Sequence, residues 1–175
     1  MALTEFQIGD QAILYDREAT VAIYEKIDRS WAEACGCPSC KNFLSQRDRV
    51  YPPSFLKLLD QLGIDPKKES EIFEHIILAD YRRNKLHAYD GWLNFVGEYV
   101  SGGAVFCSPD AEQFEFSFVT RLPGLGGFRD RPSIAIEFET PLRWRIPERP
   151  ESHDTAGNKW IWTEKGEHIK VEPHP

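Results

Sequence analysis

Three of the four cysteines of the chain stand together in the sequence C-G-C-P-S-C, at residues 35–40. A thiol that binds a metal ion ionises because the cation stabilises the thiolate, and the glycine and proline between these thiols let the backbone fold around one ion. The C-x-C-x-x-C spacing therefore puts the sulfur atoms of Cys35, Cys37 and Cys40 within reach of one thiophilic metal. We expect zinc, because a tetrahedral sulfur-rich site suits this ion.

A tetrahedral site needs a fourth ligand. Cys107 is the first candidate, because residues 101–109 connect two predicted strands and their backbone can approach the cysteine loop. His75 and His87 are the alternatives. The competing interpretation is that the three clustered residues are ordinary reduced thiols in a loop.

The last four residues of the cluster, C-P-S-C at 37–40, also match the C-x-x-C motif of dithiol oxidoreductases, and C-P-x-C is the glutaredoxin pattern. A thioredoxin-like fold would place this motif between a first strand and a long helix of a βαβ unit. Here short helices and an antiparallel set of strands follow. Thiol–disulfide exchange, or a metal-dependent enzyme with an open coordination position, is therefore the alternative to a structural metal site, and no catalytic residue is predicted.

Composition restricts the class of protein and of partner. A chain of 175 residues fits one domain over residues 1–175, and the hydrophobic content of 41% indicates a folded core. The net charge of −7 repels a phosphate backbone, so nucleic acid is not an expected partner. With no basic and apolar leader and no apolar run of membrane length, we expect a cytoplasmic protein that does not bind a membrane. The expected partner is an unidentified protein or small molecule.

The elements that position the cysteine loop are short helices followed by strands. The segments 11–15 and 20–27 are predicted as two arms of a hairpin, although the second also has a helical stripe. A helix is predicted from Pro53 to Gly63, and a shorter one from Asp65 to about Phe73. Strands are predicted at residues 75–79, 86–100, 113–122 and 133–146. From about residue 147 the chain becomes a loop-rich extension that can still form a small hairpin near its end.

Two of these strands have the clearest pattern. Their apolar side chains alternate with polar ones, which is typical of a sheet with one buried face. The apolar positions are Phe114, Phe116, Phe118, Ile134, Ile136 and Phe138. Because helices come first and strands later, the order favours an α+β fold with a mainly antiparallel sheet and two or three short helices after the cysteine loop.

Three stretches resemble a family of uncharacterised bacterial proteins: C-x-C-x-x-C-x-N-F at residues 35–43, residues 53–66 ending in L-G-I-D-P, and G-W-x-x-F-V-G at 91–97. Together they cover roughly the middle half of the chain. The resemblance implies a bacterial cytosolic protein whose cysteine loop leads into helices and then a sheet. It implies no activity. The function predicted from the sequence is a cytosolic, zinc-stabilised binding or interaction module.

Overall fold

The helices gather in the first third of the chain and most strands follow them. The structure is a computed structural model that describes residues 3–75, 86–120, 127–153, 159–162 and 168–171. The elements are, in chain order, β1 (Thr4–Ile8), β2 (Gln11–Tyr15), α1 (Arg17–Tyr24), α2 (Trp31–Cys35), α3 (Pro38–Leu44), α4 (Arg47–Val50), α5 (Pro53–Leu62), β3 (Glu71–His75), β4 (Leu86–Ser101), β5 (Phe106–Ser108), β6 (Ala111–Val119), β7 (Ser133–Arg143), β8 (Glu151–His153), β9 (Lys159–Trp162) and β10 (His168–Lys170). The predicted α+β class is confirmed.

The 16-residue strand β4 is the central strand of the main sheet, because it pairs with three other strands. Along one edge its first half pairs with β3 and its second half with β2, and along the other edge it pairs with β7. The described strands of this sheet follow the order β1-β2-β4-β7-β6-β5, with β3 beside β4, and all their pairings are antiparallel. The fold is therefore a mainly antiparallel sheet, as the sequence predicts.

The predicted alternation of β6 and β7 is confirmed. Phe116 lies opposite Phe138 across the two strands, and Phe118 lies opposite Ile136. All six alternating positions are buried in one hydrophobic core. Helix α5 covers this face of the sheet, with the ring of Phe55 centred 4.7 Å from that of Phe114.

Helix α5 forms as predicted from its sequence. Pro53 occupies the first turn, where a missing N–H costs no hydrogen bond, and Gly63 ends the helix with φ of 77°. The buried side chains of the helix follow its helical spacing: Phe55, Leu58, Leu59 and Leu62.

The predicted strand at residues 20–27 is wrong. Helix α1 occupies this part of the chain, and its stripe of apolar residues was the correct signal. The carboxylate of Asp16 accepts a hydrogen bond from the backbone N–H of Ala19 at 2.9 Å and so caps the helix. The partner of β2 in the hairpin is β1, which precedes it.

The predicted helix from Asp65 to Phe73 is also wrong. The carboxylate of Asp65 accepts a hydrogen bond from the backbone N–H of Lys67 at 2.9 Å and so closes a turn. The backbone N–H of Ser70 then donates to the carbonyl of Trp92 at 2.7 Å. This bond draws the chain into pairing with β4, so β3 forms where the helix was expected.

Other predictions fall partly outside the described residues. The expected strands at 86–100, 113–122 and 133–146 correspond to β4, β6 and β7, while residues 76–79 and 121–122 are outside the described part. In the extension after residue 147, β9 pairs with β10 as the predicted hairpin, and β8 adds to the other edge of β9. Within the described part of the chain, no helix is long and apolar enough to cross a membrane.

Candidate metal centre

The three clustered cysteines lie at the junction of two short helices. Cys35 is the last residue of α2, and Gly36 ends that helix in the left-handed conformation, with φ of 67°. Cys37 is the N-cap of α3, Pro38 occupies its first position, and Cys40 lies in its first turn. Gly36 and Pro38 thus make a sharp turn between the helices, which directs all three thiols to one side.

The sulfur atoms of Cys35, Cys37 and Cys40 all lie within 4.8 Å of one another. In a tetrahedral zinc site with Zn–S bonds of about 2.3 Å, two sulfur atoms are separated by about 3.8 Å. A closure of about 1 Å or less would therefore bring the three sulfur atoms into contact with one ion. Among the described residues, this is the one group of three or more metal-ligating side chains that lies this close together.

The three thiols differ in burial and in charge. Cys35 is exposed, Cys37 is partly buried and Cys40 is buried. A hydrogen bond from the Cys40 thiol, helped by backbone N–H groups at the start of α3, lowers the pKa of Cys37 to about 5. The same interaction and burial raise the pKa of Cys40. The lowered pKa favours the thiolate form of Cys37, which is the form that binds metal ions.

The loop is fastened to the sheet by a buried polar network. The Ser39 hydroxyl donates to the carboxylate of Glu74 on β3 at 3.1 Å, and the Tyr89 hydroxyl on β4 donates to the Ser39 carbonyl at 3.1 Å. The other carboxylate oxygen of Glu74 lies 2.7 Å from Nδ1 of His87. Because Ser39 stands between Cys37 and Cys40, the network fixes the part of the loop that carries these two thiols.

A second set of polar contacts holds the amino end of α2. Ser30 and Glu33 form a capping box, in which each side chain accepts a hydrogen bond from the backbone N–H of the other. Arg47 on α4 lies 2.9 Å from the Glu33 carboxylate and 3.6 Å from that of Glu69. The side chain of Glu69 is fully buried, and this burial raises its pKa. These contacts place α2, and hence Cys35, against the rest of the fold.

The structure does not bring the predicted fourth ligand to the cluster. Cys107 is an exposed residue of β5, and its thiol lies 3.8 Å from the carboxylate of Glu115. Helices α2 and α3 contact β3, whereas β5 lies at the far edge of the sheet, four strand spacings or about 19 Å away. Among the described residues, Cys107 is therefore outside the group of close ligand atoms, and the sheet separates it from the loop.

The alternative histidine ligands lie in other pairs. His75 is half exposed and binds the carboxylate of Asp90. His87 is fully buried against Glu74, and its ring lies 4.9 Å from that of Trp144. Neither histidine belongs to the group of close ligand atoms among the described residues. His87 instead supports the loop indirectly, through Glu74.

Sequence reasoning missed this supporting network. Glu74 and Tyr89 have no distinguishing sequence context, because their partners are brought together only by the pairing of β3 with β4. The sequence indicates His87 only as a possible metal ligand. No protein-family model, curated protein or solved structure matches the chain.

Proposed function

We propose that this protein is a zinc-binding module of the bacterial cytosol, whose metal fixes a helical surface that binds a protein or a small molecule. The observation that carries the proposal is the mutual approach of the sulfur atoms of Cys35, Cys37 and Cys40 to within 4.8 Å. Three sulfur ligands favour zinc over hard cations such as magnesium and calcium, which prefer oxygen.

A structural role follows from the size of the helices that the cysteines join. Helices α2 and α3 have five and seven residues, which is too short for stability without tertiary contacts. A metal that binds the end of α2 and the start of α3 would fix the angle between them. Because the unfolded chain lacks the assembled site, the free energy of metal binding would appear as folding stability.

The three thiols differ in burial, and this difference indicates the direction in which the fourth coordination position of the metal would face. Cys40 lies in the core and Cys35 is exposed, so an ion held between them would have one side towards solvent. Water or a group of the partner would complete its coordination there. A partner that supplies a ligand would then bind only the metal-loaded protein.

Thiol–disulfide exchange is the second candidate function. The specific observation that favours it is the position of Cys37 at the N-cap of α3, where its sulfur accepts the backbone N–H of Cys40 at 3.5 Å. A thiolate at a helix N-terminus beside a second thiol is the usual arrangement of a C-x-x-C redox pair. The third thiol, Cys35, distinguishes this cluster from a simple pair and favours the metal.

The test is the metal content of protein purified without chelator. We expect about one zinc ion per chain, and we expect the Cys37→Ser and Cys40→Ser variants to lose it. Cys107→Ser is the matched control, because it removes a thiol far from the cluster and should keep the metal. In native zinc-loaded protein Cys107 should react rapidly with a thiol reagent, while the three clustered thiols react only after chelation.

Two results would contradict the proposal. One is the absence of stoichiometric metal together with free reaction of all four thiols in the native protein. The other is equal metal content in the Cys40→Ser variant and the wild type, which would place the ion elsewhere. A metal-free protein that reduces a disulfide substrate at a rate that depends on Cys37 would support the redox candidate instead.

A further inference from the structure

A cavity of about 310 Å³ lies at the carboxyl end of α3, the end opposite to Cys37. Three arginines border it: Arg49, Arg143 and Arg145. Among the described residues that line the cavity there is no Asp or Glu. The cavity is therefore opposite in sign to the chain as a whole, which has a net charge of −7. Guanidinium groups bind phosphate and carboxylate oxygens through paired N–H donors, so this charge suits an anion.

The arginine segment is held in place by two side chains of the α3 region. The buried side chain of Asn42 accepts a hydrogen bond from the backbone N–H of Arg145 at 2.7 Å. The side-chain amide of Gln46 donates to the carbonyl of Arg143 at 2.9 Å and accepts from Nε of Arg145 at 3.1 Å. Gln46 thus orients the Arg145 guanidinium through Nε, and this bond does not use its two terminal nitrogens.

Two of the arginines keep their charge available. Nearby basic side chains are paired, since Lys41 lies 3.3 Å from Glu148 and Arg47 lies 2.9 Å from Glu33. Within the described part of the chain, neither Arg49 nor Arg145 forms an ion pair with a carboxylate. Among the described residues, these two guanidinium groups at one cavity are therefore without a paired carboxylate.

Apolar residues also line the cavity. They are Leu86 on β4 and Pro141 and Leu142 on β7. The volume of about 310 Å³ is more than a bare phosphate ion fills. A ligand with an anionic head and an apolar body would match both the basic and the apolar residues that line the cavity.

We propose that this cavity binds a small molecule that carries a phosphate group on an apolar body. The phosphate lies between Arg49 and Arg145, and the body lies on the leucine and proline side chains. Phosphate is preferred to carboxylate because its oxygens point in several directions and so can accept from guanidinium groups on different elements. The site is separate from the cysteine cluster and does not depend on a metal there.

The experiment measures binding of phenyl phosphate to the full-length protein by calorimetry at constant ionic strength. Inorganic phosphate, phenol and benzoate are the companion probes. We expect one phenyl phosphate per chain, bound at least about tenfold more tightly than inorganic phosphate or benzoate, with phenol showing no saturable binding. Binding of benzoate as tight as that of phenyl phosphate would overturn the choice of phosphate.

Variants locate the site. Arg49→Gln combined with Arg145→Gln should weaken phenyl phosphate binding at least about tenfold. Arg129→Gln is the charge-matched control, because Arg129 is exposed and does not line the cavity. If the double variant does not fold, Arg49→Gln alone serves, since Arg49 is an exposed residue. Equal weakening by the control, or no saturable binding of phenyl phosphate to the wild type, would overturn the proposal.

Discussion

The carboxylate of Glu74 lies 2.7 Å from Nδ1 of His87, and both side chains are almost completely buried. Glu74 and His87 belong to β3 and β4, and the second oxygen of the carboxylate binds Ser39 in the cysteine loop. A buried acid and base that satisfy each other are thus used to attach a surface loop to a sheet. The stability of the loop and that of the sheet edge are therefore coupled.

Glu74→Gln tests this coupling. The substitution keeps the size of the side chain and removes the charge from the hydrogen bonds to His87 and Ser39. We expect a loss of about 1 to 3 kcal/mol in the free energy of unfolding measured with urea. Glu71→Gln on the same strand is the matched control. A loss no greater than that of the control would mean that the buried pair contributes little.

Phe116→Ala tests the hydrophobic face of the sheet. Phe116 is buried opposite Phe138, and its ring lies 5.2 Å from that of Phe55 on the covering helix. Truncation removes these contacts and leaves a cavity, so we expect a loss of roughly 3 to 5 kcal/mol in denaturant unfolding. Phe73→Ala, at a side chain that is 49% exposed, should cost far less. A loss below about 1 kcal/mol at Phe116 would contradict its place in the core.

The sequence predicted the parts of the fold that follow from local pattern. Alternation in β6 and β7 and helical spacing in α5 are strong periodic signals, and both were confirmed. The segment 20–27 combined β-branched residues with a helical stripe, and the helix that forms there is capped by Asp16. The stretch after Asp65 became a strand because β4 offered it a pairing edge, which no local pattern reveals.

In the candidate site too, local spacing was predictable from the sequence and long-range placement was not. The spacing of Cys35, Cys37 and Cys40 in one loop is local information, and the approach of their sulfur atoms agrees with it. The choice of Cys107 depended on long-range strand order, and β5 lies at the far edge of the sheet. The arginine cavity also depends on long-range order, because its side chains come from segments about a hundred residues apart in sequence.

Arg47→Met should reveal the free-energy cost of burying the Glu69 carboxylate without a paired cation. Arg47 is the cation beside this carboxylate, so its removal leaves an unpaired buried charge and should cost roughly 2 to 4 kcal/mol at pH 7. Burial already raises the pKa of Glu69. A carboxyl group whose pKa is higher in the folded state destabilises that state above this pKa, and the penalty disappears as pH falls below its pKa in the unfolded chain.

The pH dependence distinguishes this mechanism from a simple loss of contacts. The deficit of Arg47→Met relative to wild type should shrink as the pH falls from 7 towards 4, in urea unfolding at each pH. Arg49→Met is the control, since Arg49 is exposed and should show a small deficit at every pH. A deficit at Arg47 that stays constant across this range would show that the Glu69 charge is not its cause.

The Cys37 thiol should be reactive in metal-free protein down to unusually low pH. Its pKa is lowered to about 5, so the thiolate is present through the neutral range. We expect the rate of alkylation by iodoacetamide, followed by mass spectrometry, to change little from pH 8 to 6 and to fall as the pH passes through about 5. N-acetylcysteine in the same solution is the reference, with a rate that falls about tenfold per pH unit below its own pKa. A similar fall for Cys37 between pH 8 and 6 would contradict the lowered pKa.

Cys37→Ser should separate a structural from a catalytic cysteine loop. If the metal stabilises the junction of α2 and α3, zinc at about a hundred times its dissociation constant adds about 2.7 kcal/mol to the folded state. For a domain of this size, that is a rise of roughly 5 to 10 °C in melting temperature. We expect the wild type to lose this rise on chelation, Cys37→Ser to lack it in either condition, and Cys107→Ser to behave as the wild type does.

In hydrogen exchange, Cys37→Ser should lose protection in α2 and α3 more than in β6 and β7. If Cys37→Ser keeps full stability but loses a measurable thiol–disulfide exchange activity, the cysteine loop has a redox function rather than a structural metal.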